Sequence, residues 1–199
     1  MKKLYLLLIL VLLSALSTFA DTPLRIAYIA DPHLGSANNH KDLINCINDI
    51  NAQDSLDFVL VGGDLTKMGS FSQLQASKKT LDKLNLPYWI VSGNHDSKWS
   101  ESGCNDFIQI FGYEQFEFEA GGYRFLGCNC GPDMRMAPAL VPRSSMEWIQ
   151  GLKPGKPVIF LNHYPLNDGM SNWFEIRREL IRLDCRMTIC GHGHSNKTY

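Results

Sequence analysis

No Cys-x-x-Cys pair occurs among the six cysteines of this 199-residue chain, which argues against a thiolate zinc site. Charge of one sign is also missing. The 19 Lys and Arg balance 20 Asp and Glu to a net −1, so no global basic field gathers nucleic acid or anionic lipid. With 45% hydrophobic residues, the chain also lacks the low hydrophobicity and high net charge of a disordered segment. There are no internal repeats and no low-complexity tracts. Beyond the first 20 residues no apolar run is long enough to cross a membrane. What remains is one globular domain, with little room for a second.

The N-terminus stands apart. Lys2 and Lys3 precede an unbroken apolar run from Leu4 to Leu13, and the segment closes on Thr18-Phe19-Ala20. A positive start, a short apolar middle and a small-x-small exit form the pattern of a secretory signal peptide cut after Ala20. An uncleaved anchor is the alternative, but Leu4 to Ala20 is at the short limit for spanning and is diluted by Ser14, Ser17 and Thr18. Residues 1–20 are therefore expected to be a signal peptide and 21–199 the mature domain. The protein is then exported, periplasmic or secreted, with no transmembrane segment after cleavage. Cleavage removes Lys2 and Lys3 and no acid, leaving a charge of −3. In an exported chain Cys46, Cys104, Cys128, Cys130, Cys185 and Cys190 allow 15 disulfide pairings, and sequence does not choose among them. The simplest reading is buried free thiols, Cys190 among them because it sits in an apolar run.

Short β-branched runs alternate with helical patterns. Strands are expected at Leu24 to Ala30, Phe58 to Val61, Tyr88 to Val91, Val158 to Leu161 and Met187 to Cys190. Leu43, Ile44, Ile47 and Ile50 mark one amphipathic helix, and Phe71, Leu74, Leu81 and Leu84 a second. Trp173, Phe174, Ile176, Leu180 and Ile181 mark a third, with Trp173 and Phe174 read as core packing rather than as an aromatic wall for a base. Two alternating stretches around Ala120-Gly121-Gly122 predict a hairpin. The alternation implies an α/β domain with a largely parallel sheet. Gly131 to Ser144, with Pro132, Pro138 and Pro142, reads as an ordered surface loop near function.

The chemistry lies in the few residues just past each strand. Asp31-Pro32-His33 comes after the first, Gly62-Gly63-Asp64 after the second and Gly93-Asn94-His95-Asp96 after the third. Asn162-His163 succeeds the strand at Val158, and Gly191-His192-Gly193-His194 the last. In open α/β sheets ligands bind beyond the carboxyl ends of the strands. Five of the six histidines fall there, and only His40, in a polar stretch, reads as a solvated surface residue. Imidazoles and carboxylates crowded together are left repelling or unsatisfied unless a cation joins them. Seven mixed N/O donors exceed what one catalytic zinc takes and suit two ions sharing a carboxylate.

Asp31-x-His33, Gly63-Asp64, Gly93-Asn94-His95-Asp96, His163 and Gly191-His192-x-His194, in that order, resemble the motif set of the calcineurin-like metallophosphoesterases. The resemblance implies a two-sheet αββα sandwich. It also implies further strands after His194, so the chain is expected to be truncated and to lack its C-terminal strands. Asp31, His33 and His194 would hold one ion, Asn94, His163 and His192 the other, and Asp64 would bridge them. His95 would be the general acid and Asp96 would orient it.

Two divalent ions about 3.5–4 Å apart lower the pKa of a water between them toward neutrality, and the hydroxide attacks the phosphoester. His95 would protonate the departing oxygen, a role to which histidine as a residue type is suited. Mn, Fe or Zn suits a thiolate-free set of ligands. The expected partner is a phosphate-ester small molecule or a nucleotide, as monoester or diester, and a charge of −3 argues against a stable nucleic-acid complex. Arg135 and Arg143 are placed to grip a phosphate, although solvated surface arginine is the simpler reading. The alternatives are a non-catalytic metal-binding module of the same fold and, within the enzyme class, a nuclease.

Overall fold

A computed structural model describes residues 23–35, 38–131 and 138–198. The described residues form seven strands and five helices. They are β1 (Ile26–Ile29), α1 (Asn39–Asn51), β2 (Phe58–Val61), α2 (Phe71–Leu81), β3 (Tyr88–Ile90), α3 (Asn105–Phe111), β4 (Gln115–Ala120), β5 (Tyr123–Cys128), α4 (Arg143–Gly151), β6 (Val158–Leu161), α5 (Trp173–Arg182) and β7 (Cys185–Ile189). The strands form two sheets, one parallel in the order β1-β2-β3 and one mixed in the order β4-β5-β6-β7. The expected signal peptide and Arg135 lie outside the described residues. Among the described residues no helix is long and apolar enough to cross a membrane.

The layers arise from the two-residue period of the strands. On β2, Phe58 and Leu60 point into the space between the sheets, where they meet Phe116, Phe125, Ile159 and Leu161. Val59 and Val61 point the other way and pack with Leu43, Ile47 and Ile50 of α1, Leu74 and Leu81 of α2 and Phe107 of α3. On β6 the same alternation sends Val158 and Phe160 toward Ile149 of α4 and Ile176 and Leu180 of α5. Helices cover the outer face of each sheet, giving the αββα sandwich. Each fully buried leucine or phenylalanine in the middle layer contributes about 1.5–3 kcal/mol. The hairpin forms as expected, with Gly121 (φ 52°) and Gly122 (φ 80°) supplying the positive φ that a two-residue β4–β5 turn needs.

Several expectations need correction. Helices α3 and α4 were not expected, and α4 begins inside the stretch read as loop: Pro142 stands just ahead of its first residue, Arg143. Phe174 is 61% and Ile181 66% exposed, so only one side of α5 reaches the core and Phe174 does not pack in it. β7 is no buried strand. Among the described residues it pairs on one side only, with β6, and Arg186, Met187 and Thr188 are exposed. Cys190 is accordingly half-buried, while Cys104, Cys128 and Cys130 are buried, and none of the four is in a disulfide among the described residues.

Candidate metal centre

All five expected motif loops leave the carboxyl ends of β1, β2, β3, β6 and β7 and meet at one rim of the sandwich. The backbone laces them together. Asp31 N donates to Gly63 O (3.0 Å) and His33 N to Asp64 O (3.0 Å). In the second sheet Gly191 N donates to His163 O (3.0 Å). Bonds also cross between the sheets, among them His163 Nδ1 to Gly62 O at 2.7 Å and His192 N to the Asp31 carboxylate at 3.1 Å.

The local backbone is strained where the side chains converge. Asp31 (φ 55°), His33 (46°), Asp64 (51°), His192 (64°) and His194 (44°) all occupy the left-handed region. Among the described non-glycine residues only Cys104 and Asp184 join them. Such a conformation costs of order 1 kcal/mol or more for each residue, and it persists where surrounding structure aims a side chain that must point one way. Gly93 has a different reason: a Cβ there would collide with Asp64 Oδ1 and lie 2.8 Å from its Cγ, so only glycine lets the Asp64 carboxylate come so close.

Two clusters result. In the first, His194 Nε2 lies 3.3 Å from Asp31 Oδ1, and His33 Nε2 lies 3.2 Å from His194 Nε2 and 3.7 Å from Asp64 Oδ2. In the second, His163 Nε2 lies 3.2 Å from Asp64 Oδ2 and 3.2 Å from Asn94 Oδ1, and His192 Nδ1 lies 2.9 Å from the same Asn94 oxygen. Asp64, 1% exposed, touches both. The donor groups Asp31–His33–His194 and Asp64–His163–His192 each fit within the reach of a single ion.

The donor chemistry tests whether metal fits. His163 donates its Nδ1–H to Gly62 O, so in the neutral ring the lone pair of Nε2 faces two acceptor oxygens, Asp64 Oδ2 and Asn94 Oδ1. Asn94 Oδ1 in turn faces two imidazole nitrogens, and His33 and His194 point nitrogens at each other. One proton satisfies at most one of these approaches. A cation at each cluster satisfies them together, so the residues present fit a pair of divalent ions.

The charges agree. Burial lowers the pKa of His33 and His192, the latter further through His163, so both favour the neutral form that ligates metal. Burial alone would do the same to His163, but the adjacent Asp64 carboxylate outweighs it and raises the group. Asp64 is the converse case: burial pushes it up, and His163 pulls it below the ordinary carboxylate range.

His95 stands beside the clusters. Its backbone N–H donates to Asp64 Oδ1 (2.8 Å), its ring meets His33 edge-on at 4.5 Å, and its Nδ1 lies 2.6 Å from Lys67 O. With Nδ1 bound to that carbonyl, the other ring nitrogen is left for chemistry. His95 also comes within ligand range of His33 and Asp64, so its position alone allows either ligand or acid.

Asp96 does not orient the His95 ring. One of its oxygens accepts from Leu65 N (3.0 Å) and Gly93 N (3.0 Å), the other from Thr66 N (3.1 Å) and Thr66 Oγ1 (3.0 Å). It is a fully buried strut between the β2 and β3 loops, and Lys67 O takes the orienting role. Burial first, then the nearby Asp64 charge, lifts its pKa to about 6. Sequence offered no sign of Lys67, because a backbone carbonyl has no side-chain signature.

Tyr164 was also missed; its ring lies over His192 at 4.0 Å, and its place next to His163 was the available signal. Arg143 is a surface residue, 92% exposed at its side chain and paired with Glu147 at 2.8 Å. His40 is exposed and bonds Thr80 Oγ1 at 3.1 Å.

Comparison with known proteins agrees with this geometry. The chain is 31% identical over 201 residues to a protein of Arcobacter nitrofigilis named "Probable glycerophosphodiester phosphodiesterase GpdQ", covering 87% of this chain and 72% of that one. A purple acid phosphatase from yellow lupin (Lupinus luteus) seeds superposes with a TM-score of 0.61 at 17% identity over 86% of this chain, which spans 38% of the lupin chain. The phosphopantetheinyl hydrolase PptH of Mycobacterium tuberculosis superposes at 0.54 with 13% identity, covering 88% of this chain and 84% of that one. The two superpositions speak for the fold. A family model described as calcineurin-like phosphoesterase matches residues 24–196. That span takes in every strand-end loop, and the chain belongs to the calcineurin-like phosphoesterase family of metal-dependent phosphoester hydrolases.

Proposed function

We propose that this chain is an exported hydrolase of phosphate diesters and monoesters that works with two divalent ions of the Mn, Fe or Zn class. The observation that carries the reading is the pair of donor clusters sharing the Asp64 carboxylate. Asp31, His33 and His194 would hold one ion, Asn94, His163 and His192 the other, with Asp64 between. When bound, such a pair supplies a nucleophile at neutral pH and neutralises phosphoryl oxygens. The chain's own residues do the rest. Asp64 and the strained loops hold the donors fixed, so no reorganisation is needed as charge develops. Lys67 O fixes the His95 ring and its tautomer, so the free nitrogen can deliver a proton to the departing oxygen. Likeness to a named glycerophosphodiester phosphodiesterase supports diesters as the first substrates to try. The N-terminal pattern supports export after cleavage at Ala20, to a periplasmic or secreted station.

The test is metal-loaded protein assayed with simple phosphate diesters and monoesters. Turnover should track added Mn or Zn. His95→Ala should lower kcat by about 10²–10⁴-fold while the two ions per chain are retained. Loss of an ion in His95→Ala would make His95 a ligand, and metal binding without any turnover would favour a non-catalytic module.

A further inference from the structure

The two histidines of the second cluster are oriented by different means. A ligating imidazole offers a lone pair in its own plane, and the ring is ordinarily held by a hydrogen bond at its remote nitrogen. His163 has that bond, from Nδ1 to Gly62 O at 2.7 Å. His192 turns Nδ1 to Asn94 Oδ1 at 2.9 Å, and no hydrogen bond reaches its remote nitrogen, Nε2, among the described residues. The residue is exposed and follows the edge strand β7. Its N–H on the Asp31 carboxylate (3.1 Å) fixes the main chain and not the ring. The ring lies instead against Tyr164, with centroids 4.0 Å apart and planes tilted by 34°, whereas His163 meets it only edge-on at 5.3 Å.

Tyr164 is anchored where His192 is not. It is 7% exposed and belongs to the apolar cluster between β6 and the helices α4 and α5. Its N–H donates to Cys130 Sγ (3.4 Å), and its carbonyl accepts from Asn162 Nδ2 (2.6 Å). A ring face so close leaves the imidazole little room to turn about Cβ–Cγ, a torsion that is soft in itself and would swing Nδ1 off the Asn94 oxygen. We propose that Tyr164 is a positioning residue: its ring, in place of a hydrogen bond, holds His192 with Nδ1 aimed at the ion shared with Asn94 and His163. The hydroxyl takes no part. This rests on the dinuclear reading of the site.

The test is manganese binding by the protein, measured by equilibrium dialysis. Wild type should take two ions. Tyr164→Leu should weaken one of them about 10–100-fold and leave the other within about twofold, while Tyr164→Phe keeps both. Tyr164→Met fills much of the same space without a flat face; it should behave as the leucine variant and serves if that one does not fold. In a His192→Ala background Tyr164→Leu should weaken metal no further, because the ring to be held is gone. Equal weakening of both ions, a loss in Tyr164→Phe, or the same loss with His192 absent would overturn the proposal. Metal-free protein gives a second readout. The His192 ring protons should resonate upfield in wild type and in Tyr164→Phe, shielded by the aromatic face, and move downfield in Tyr164→Leu; unshielded protons in wild type would refute the contact. Two ions in wild type with no selective loss in Tyr164→Leu overturns the positioning role alone, whereas a wild type that takes one ion overturns the dinuclear reading with it.

Discussion

The loops after β2 and β7 carry candidate metal ligands on very different footings. β2 is the centre of its sheet, paired on both sides, and Val59, Leu60 and Val61 are wholly buried. The loop it feeds presents Asp64, which both clusters share, and is held further by the four hydrogen bonds of Asp96. β7 is the outermost strand of the other sheet, Met187 on it is 51% exposed, and its loop presents His192 and His194. The β7 loop is tied to the rest through Gly191 N on His163 O and His192 N on the Asp31 carboxylate. The shared carboxylate thus follows a wholly buried central strand, while His192 and His194, each in one cluster only, follow the outermost strand of the other sheet. Preorganisation is concentrated where a misplacement would disturb both ions.

That contrast can be broken by substitution. Asp64→Ala should leave the site without either ion and cut kcat/KM by at least about a thousandfold, whereas His194→Ala should keep one ion and lose about a hundredfold. Metal content by atomic emission beside steady-state rates checks both; two ions retained in Asp64→Ala would reverse the ranking of the loops. The supporting strands should differ in the same sense. Leu60→Ala opens a cavity in the middle layer and should cost about 2–5 kcal/mol, against less than about 1 kcal/mol for Met187→Ala, measured by denaturant unfolding. A comparable cost at Met187 would mean that β7 is covered in solution. The smallest effect needs no mutation: amides of β7 should exchange with solvent faster than those of β2, and equal protection would remove the contrast.

The readable part of the site was the part that repeats. Asp31, His33, Asp64, Asn94, His163, His192 and His194 each come after an apolar run, and strand ends in an α/β sheet share one rim, so their assembly could be anticipated. The two-layer architecture came through the family resemblance rather than through periodicity, which indicated only a parallel sheet. The elements that escaped did so for physical reasons. α3 is seven residues long and enters from Cys104 in a left-handed conformation, and the hydroxyl that accepts from Asp106 N belongs to Ser102, two residues ahead of the usual cap position. α4 was hidden because Pro142 reads as loop, although proline at a helix start sacrifices no internal hydrogen bond. Asp96 adjoins His95 in sequence, which invited a contact between them; in the fold its carboxylate turns inward to unpaired amides, the stronger demand for a buried acceptor. The exposure of β7 and of Phe174 depends on what packs against them, and apolar spacing along one segment carries no information about that.

The central claim is a dinuclear centre bridged by Asp64. A crystal of the protein grown with manganese, with anomalous scattering recorded to locate the ions, tests it most directly. The account predicts two peaks, one among Asp31, His33 and His194 and one among Asn94, His163 and His192, with the Asp64 carboxylate between them. A single peak, or two peaks that Asp64 does not join, would contradict it.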